Sequence, residues 1–487
     1  MSIRQFASLG QRWRRALPWL KAGFAGLALG WLVLRQPILG FLLAVFLIVI
    51  FAVIILFFER NGAFSLKRVV PALLVLTILF PYIRLPGDIP DIRPEFVIIF
   101  VASGLLFLGH FAKGSPIQLR RYPIYKWFGL FAFSIFLSMA YMVLFRGQPI
   151  IGRDFWELVK VFLYFLIFAI VASQNITPTN LRRYYKFALL VFVISALFGF
   201  LQYFDFASIN EVASPYYAPT QMEGLLVQGR ITGTMGNPND FGALMALAAS
   251  LAFSGGLFLQ RGRLRILCWA SFILFIFTLG LSQSRSSFIA VSVSVVMQLL
   301  FFLLEAKGAI RRRLKRIIIS LLMLSLSATF TVHLLPESAL WRLTTLQEFT
   351  EQASLIARIT TWERYFDVYL ESPILGWGPG KAVIGFEATR IIDNEWLLLM
   401  VRYGVVGLAV FLCLFGNLFF GLSHIRRKLN QDRLVAALTF ALQSIFIAYA
   451  VYMFPAGVYH NMQLMSLIML LTGMLYALQY AQGGEYQ

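Results

Sequence analysis

Residues 229–257 read GRITGTMGNPNDFGALMALAASLAFSGGL. Four glycines and Arg230 surround Asn237-Pro238-Asn239-Asp240, and an uncharged apolar run follows from Phe241. Asn is a strong helix N-cap, and Pro suits the first helical position because its missing N–H would have no partner there. A helix rising 1.5 Å per residue crosses a hydrocarbon layer of about 30 Å in about 20 residues. The stretch therefore reads as the entry of a membrane helix over 238–257. A charge sits beside that entry, and the side of the membrane it faces decides what it can do.

The rest of the chain has the same character. Apolar residues make up 59% and charged residues 13%, against roughly 45–50% and 25% in soluble domains. Apolar runs are expected to span at 18–34, 37–58, 69–84, 94–111, 124–145, 155–173, 184–206, 238–257, 264–281, 285–304, 315–335, 394–421, 434–454 and 463–482. The fold class is an all-α polytopic membrane protein with about 14 transmembrane helices (12–14, because the first pair also reads as a short re-entrant hairpin). Strand alternation at β-barrel spacing is absent. No cleavable leader is expected, because a second apolar run follows the first directly with no A-x-A site. Cys268 and Cys413 both lie inside apolar runs, which argues against a disulfide framework or a zinc site.

The net charge of +20 does not point to nucleic acid. Lys and Arg collect in cytoplasmic loops of membrane proteins and fix their orientation. With the N-terminus inside, 28 of the 42 Lys and Arg fall on cytoplasmic segments and 12 on the other side, and Lys160 and Arg402 fall within spans. Every cytoplasmic connection is basic. Both termini are then cytoplasmic, and two long loops face outward, at 207–237 and 336–392. The chain divides into helices at 1–206, the first loop, helices at 238–335 carrying two arginine sites, the larger loop, and helices at 393–487. In the larger loop, ASLIARITTWERYFDVYLESP (353–373) repeats Ile356, Ile359, Trp362, Phe366 and Tyr369 at helical spacing, with Glu363, Asp367 and Glu371 on another face. This predicts an amphipathic helix at the outer interface.

Three inward-running spans open in a related way. Arg230 precedes the cap at Asn237, Ser284-Arg285-Ser286 opens the span near 285, and Asp393-Asn394 opens the span near 394. Helix N-termini and guanidinium groups both attract anions, phosphates above all. Arginine at membrane depth costs roughly 2.5–3.5 kcal/mol and is usually retained for a partner or a function. One capped start with an arginine is ordinarily structural, since every helix needs a cap and an interfacial arginine snorkels. Two arginines and three caps on one side predict an outward-facing site for phosphate or pyrophosphate, provided the three starts meet in space.

In this order and spacing, Gly229-Arg230, Gly233, Asn237-Pro238-Asn239, Ser284-Arg285-Ser286, the run 373–380 (PILGWGPG), and Asp393-Asn394 with Gly404 and Gly407 resemble the O-antigen ligase and polysaccharide polymerase family, over roughly residues 180–430. The resemblance implies a GT-C-like glycosyltransferase bundle with a large periplasmic loop in the bacterial inner membrane. It implies a polyprenyl-pyrophosphate-linked glycan as donor, with no metal and no other cofactor. Arg230 and Arg285 correspond to the family's pyrophosphate-binding arginines. Ligases of the family carry a histidine where this chain has Asp393, which implies a polymerase passing the growing glycan to another lipid-linked repeat unit of O-antigen, capsule or exopolysaccharide. A ligase passing glycan to lipid A-core is the alternative, and a flippase for lipid-linked sugars a second. A chain-length regulator is a further candidate partner, besides membrane lipid.

Asp393 is the positional candidate to receive the acceptor's proton, with hydroxyl positioning or simple capping as its other readings. Asn237, Asn239, Ser284 and Asn394 belong to the same motifs and are candidate substrate contacts. Arg358 and Trp362 on the loop helix are placed to meet phosphate and sugar, because aromatic rings stack well on sugars. Arg402, about two turns below Asp393, is expected either to reach the site or to pair with an acid. His460 in the last outer loop reads as a solvated side chain first and a site residue second.

Overall fold

A computed structural model describes residues 68–81, 93–113, 120, 122–211, 217, 229–260, 262–305, 310–334, 353–380, 393–429 and 432–481. Regular structure among the described residues is helical: α1 (Val69–Leu79), α2 (Pro94–Lys113), α3 (Ile124–Arg146), α4 (Gly152–Ala172), α5 (Pro178–Tyr203), α6 (Pro238–Phe258), α7 (Arg263–Ser282), α8 (Arg285–Glu305), α9 (Ile310–Leu334), α10 (Ala353–Glu371), α11 (Glu395–Lys428), α12 (Arg433–Tyr452) and α13 (Met462–Ala481). Ten are long and apolar enough to cross a membrane, namely α3 to α9 and α11 to α13. The spans expected at 18–34 and 37–58 lie outside the described residues.

The span expected over 69–84 is shorter than its apolar run. α1 ends at Leu79 because Phe80 is extended ahead of Pro81, as the residue before a proline tends to be. Arg93, expected among the outer charges, is instead wholly buried there. It donates to the carbonyls of Phe80 (2.8 Å), Thr77 (3.0 Å) and Leu76 (3.3 Å) and pairs with Glu95 at 3.0 Å. A cation on the unsatisfied carbonyls of a helix C-terminus is favourable, and it is what makes burying this arginine tolerable.

α6 runs through the middle of the bundle, packed by α5, α7, α8, α9, α12 and α13. Its sequence explains the position. Lipid is as apolar as a side chain, so membrane helices associate through close approach and interhelical hydrogen bonds. A Cβ at Gly255 would lie 2.2 Å from the Tyr185 hydroxyl, and one at Gly256 2.4 Å from the Trp269 ring. Across the core, Ser250 bonds Ser294 at 2.6 Å, Gln298 donates to Ser250 at 2.6 Å, and Ser254 donates to the Ala437 carbonyl at 2.6 Å, tying α6 to α8 and α12. At the far end of α6 from the helix starts, Arg265 donates to the Gly256 carbonyl (2.8 Å) and Arg316 to that of Leu257 (3.3 Å). Two of the charges counted as cytoplasmic thus cap one helix C-terminus.

α11 is interrupted. Gly404 has φ 63° and ψ −170°, a backbone region essentially restricted to glycine. The segment after α10 enters the break: Trp377 N–H donates to the Val401 carbonyl (2.8 Å), Val405 N–H to that of Pro373 (2.8 Å), and Val406 N–H to that of Ile374 (3.3 Å). Ser138 of α3 closes the joint, donating to the Arg402 carbonyl at 2.6 Å and accepting from Gly378 N–H at 2.9 Å. Irregular backbone at membrane depth persists only where protein satisfies it, and here two other elements do so.

Candidate active site

The site begins with Arg230. Its Nε donates to the Ser282 carbonyl (3.1 Å) and its Nη2 to Asn239 Oδ1 (3.0 Å). Ser282 ends α7, Gln283 turns the chain in a left-handed conformation (φ 54°), and α8 starts at Arg285. Arg230 is therefore fastened three residues from Arg285 while also gripping the first turn of α6. Ile231 N–H donates to the Leu281 carbonyl (3.4 Å) and Gln283 Nε2 to that of Gly229 (3.4 Å), so the two strands of backbone run side by side. Both arginines are half-buried.

Gly242 allows the starts of α6 and α8 to meet. A Cβ there would lie 2.6 Å from Ser287 Oγ, 2.8 Å from Ser284 Cβ and 2.9 Å from Ser282 Oγ. Ser284 and Ser287 bond each other at 2.8 Å, and Ser287 donates to the Asn239 carbonyl at 3.3 Å. Tyr452, at the end of α12, donates to the same carbonyl at 3.0 Å, and Tyr449 to that of Ala243 at 2.8 Å. Asn237 caps α6, accepting from Asn239 N–H at 2.8 Å.

The start of α11 joins through the loop 453–461. Asn394 caps α11, accepting from Leu397 N–H at 3.1 Å. Glu395 N–H donates to the Met453 carbonyl at 2.8 Å, and its carboxylate meets His460 Nδ1. One residue on, Asn461 caps α13, accepting from Leu464 N–H at 3.0 Å. The three helix starts singled out in the sequence thus gather at one end of the bundle. α6 touches α8 directly, and the end of α12 joins it to α11, since Tyr452 donates to the Asn239 carbonyl and Met453 accepts from Glu395 N–H.

Beneath lies an ionic network. Glu157 of α4 pairs with Lys160 at 2.8 Å and with Arg402 at 3.6 Å, and receives the Tyr403 hydroxyl at 3.4 Å. His460 Nε2 stands 2.6 Å from Arg402 Nη1. Arginine only donates, so Nε2 accepts, and the imidazole's proton sits on Nδ1 toward Glu395. Burial pushes the His460 pKa below its ordinary value, opposed by the Glu395 carboxylate. Arg402 does pair with an acid, Glu157 of α4. His460, read first as solvated, is a link between α11 and α4.

Asp393 pairs with Arg358 of α10 at 3.1 Å, both partly exposed, which ties the loop helix to the start of α11. The expected apolar stripe on α10 divides. Trp362 and Tyr369 pack with Tyr365 against Leu397 and Val401 of α11, while Ile356, Ile359 and Phe366 are exposed. Trp362 acts as an anchor for the loop helix because Leu397 and Val401 present an apolar face to it. Glu157 was the residue missed. Its signal was legible, since an acid and a lysine three residues apart inside a span are costly unless paired.

A family model described as O-Antigen ligase matches residues 270–412. No curated protein matches the chain. The matched stretch contains Arg285, the loop helix, Asp393 and the break in α11. This multi-pass membrane protein carries, across residues 270–412, a domain of the O-antigen ligase family.

Proposed function

We propose that the protein is a polymerase of polyprenyl-pyrophosphate-linked oligosaccharides, a GT-C-class enzyme working at the periplasmic face of the bacterial inner membrane. It moves the growing glycan from its carrier to the next lipid-linked repeat unit. The observation that carries this reading is the seam in which Arg230 bridges Ser282 and Asn239, so that two arginines and two helix N-termini crowd one place.

The chemistry follows from that crowding. As the glycan departs, negative charge builds on the oxygen bridging sugar and pyrophosphate. Preorganised cations and N–H dipoles stabilise such charge without reorganising. A guanidinium is planar and grips two oxygens at once, which an ammonium cannot do. Arg230 and Arg285 hold the pyrophosphate and take up the developing charge, so that no metal is required for it. Asn237, Asn239 and Ser284 stand at the same two helix starts. Asp393, held by Arg358, and Asn394 place the acceptor sugar, and Asp393 stands where the family's ligases carry a histidine.

The test is incubation of the purified protein with a lipid-linked repeat unit alone, followed by separation of products by length. A ladder supports the polymerase. Transfer that occurs only after lipid A-core is added identifies a ligase instead, and no transfer to either acceptor refutes the enzymatic reading.

A further inference from the structure

Asp393 and Asn394, which place the acceptor sugar, stand at the start of α11. That start does not take its position from the rest of the helix, because the backbone breaks at Gly404. Residues 395–403 form a segment of about two and a half turns that needs anchors of its own. At its lower end the Val401 carbonyl accepts from Trp377 N–H at 2.8 Å. At its upper end Glu395 N–H goes to the Met453 carbonyl at 2.8 Å, and the Glu395 carboxylate is buried. A buried carboxylate is costly unless it is hydrogen-bonded. Oε2 has no hydrogen-bond partner among the described residues and is walled by the Gly457 backbone, where a Cβ would lie 2.8 Å from it. The other oxygen meets His460 Nδ1, so the imidazole is what holds this carboxylate. His460 is itself fixed to α4 and α11. Tyr164 of α4 donates to the Tyr459 carbonyl at 3.0 Å, and the Lys160 ammonium lies 5.4 Å over the Tyr459 ring. Arg402 Nη1, 2.6 Å from Nε2, keeps the ring's proton on Nδ1, facing Glu395.

From this geometry we propose that His460 is a positioning residue for the acceptor, an assignment that rests on the acceptor-binding reading of Asp393 and Asn394. By donating to Glu395 from a ring held in one tautomer, it fixes the two residues just before Glu395 against α4, where they meet the acceptor sugar. His460 touches no reacting atom. Arg402 stands behind it and sets the tautomer, and Glu157, 3.6 Å from Arg402, holds that guanidinium in place.

The experiment measures initial rates with full-length protein and two lipid-linked repeat units. One is blocked at its acceptor hydroxyl and serves only as donor. The other is joined to its carrier through a non-cleavable phosphonate and serves only as acceptor. Binding of farnesyl pyrophosphate, the donor-tail probe, is measured alongside. His460→Ala is expected to lower kcat/KM for the acceptor at least about tenfold, the loss of one hydrogen bond to a charged group, while binding the probe within about threefold of wild type. His460→Asn puts an amide N–H where Nδ1 donates, and is expected to recover acceptor kcat/KM to within about threefold of wild type. His460→Gln puts its amide near Nε2, beside Arg402 and away from Glu395, and is expected to stay as low as His460→Ala. A purely structural histidine would not separate the two amides. Acceptor kcat/KM within about threefold of wild type in His460→Ala, or equal values in the Asn and Gln variants, would overturn the proposal. So would a loss of probe binding that matches the loss of transfer, which assigns His460 to the stability of the whole bundle. Asp393→Ala with unchanged acceptor kcat/KM refutes the acceptor reading and the proposal with it, an outcome distinct from failure at His460 alone.

Discussion

Replacing Gly404 with alanine tests the joint on which the loop and α11 depend. With φ 63° and ψ −170°, an alanine pays about 1–3 kcal/mol in backbone conformation alone. Its Cβ would also fall 2.1 Å from the Ile374 carbonyl oxygen and 2.3 Å from its carbon, which are main-chain atoms with no rotamer to move. Segment 373–377 must then withdraw, giving up the 2.8 Å bonds from Val405 to Pro373 and from Trp377 to Val401. Two backbone bonds are worth about 0.5–1.5 kcal/mol each, so the whole cost is roughly 2–6 kcal/mol. The unfolding temperature in detergent, followed by tryptophan fluorescence, should fall by about 2–6 °C. Gly416→Ala is the control, because its Cβ would find only Phe420 at 4.0 Å in the same helix. A helical Gly→Ala there should be neutral or stabilise by about 0.5–1 kcal/mol. If the two variants unfold together, the account of the break is wrong.

Gly242→Val forces atoms against Ser282, Ser284 and Ser287, for which overpacking costs about 1–3 kcal/mol. It should cut transfer at least about tenfold with the protein still inserted, and full activity would show that α6 and α8 need not touch. His460 has a lowered pKa in the folded protein and about 6.5 unfolded. Below that value the unfolded chain holds more protons, so stability should fall as pH drops from about 6.5 toward the folded pKa and then level off. The groups facing the imidazole are Glu395 and Arg402 of α11 and Glu157 and Lys160 of α4. Thermal scans at two pH values should show a larger drop for wild type than for His460→Asn, and equal drops would remove His460 as the cause. EDTA should leave transfer within about twofold, whereas loss restored by a divalent cation would contradict the electrostatic scheme.

The helices were legible because each is a local apolar run with its own start signal. Pro238 and Arg285 open α6 and α8, and Asn394 caps α11, at the positions the motifs indicated. What the sequence hid is nonlocal. Gly404 lies in an apolar run that reads as continuous helix, and its break is visible only once PILGWGPG is seen to pair with it. Arg93 read as a loop charge because the carbonyls it satisfies lie 13 to 17 residues earlier. Arg402 had two readings open, and its partner Glu157 comes from a span far away in the chain.

The central claim is that Arg230 and Arg285 hold one diphosphate between them. Titration of farnesyl pyrophosphate against wild type, Arg230→Lys and Arg285→Lys tests it most directly, with each variant's insertion and thermal unfolding checked in the same preparation. Each substitution is expected to weaken binding at least about tenfold, the loss of one charge-assisted bidentate contact. Affinity equal to wild type in either folded variant would contradict the account.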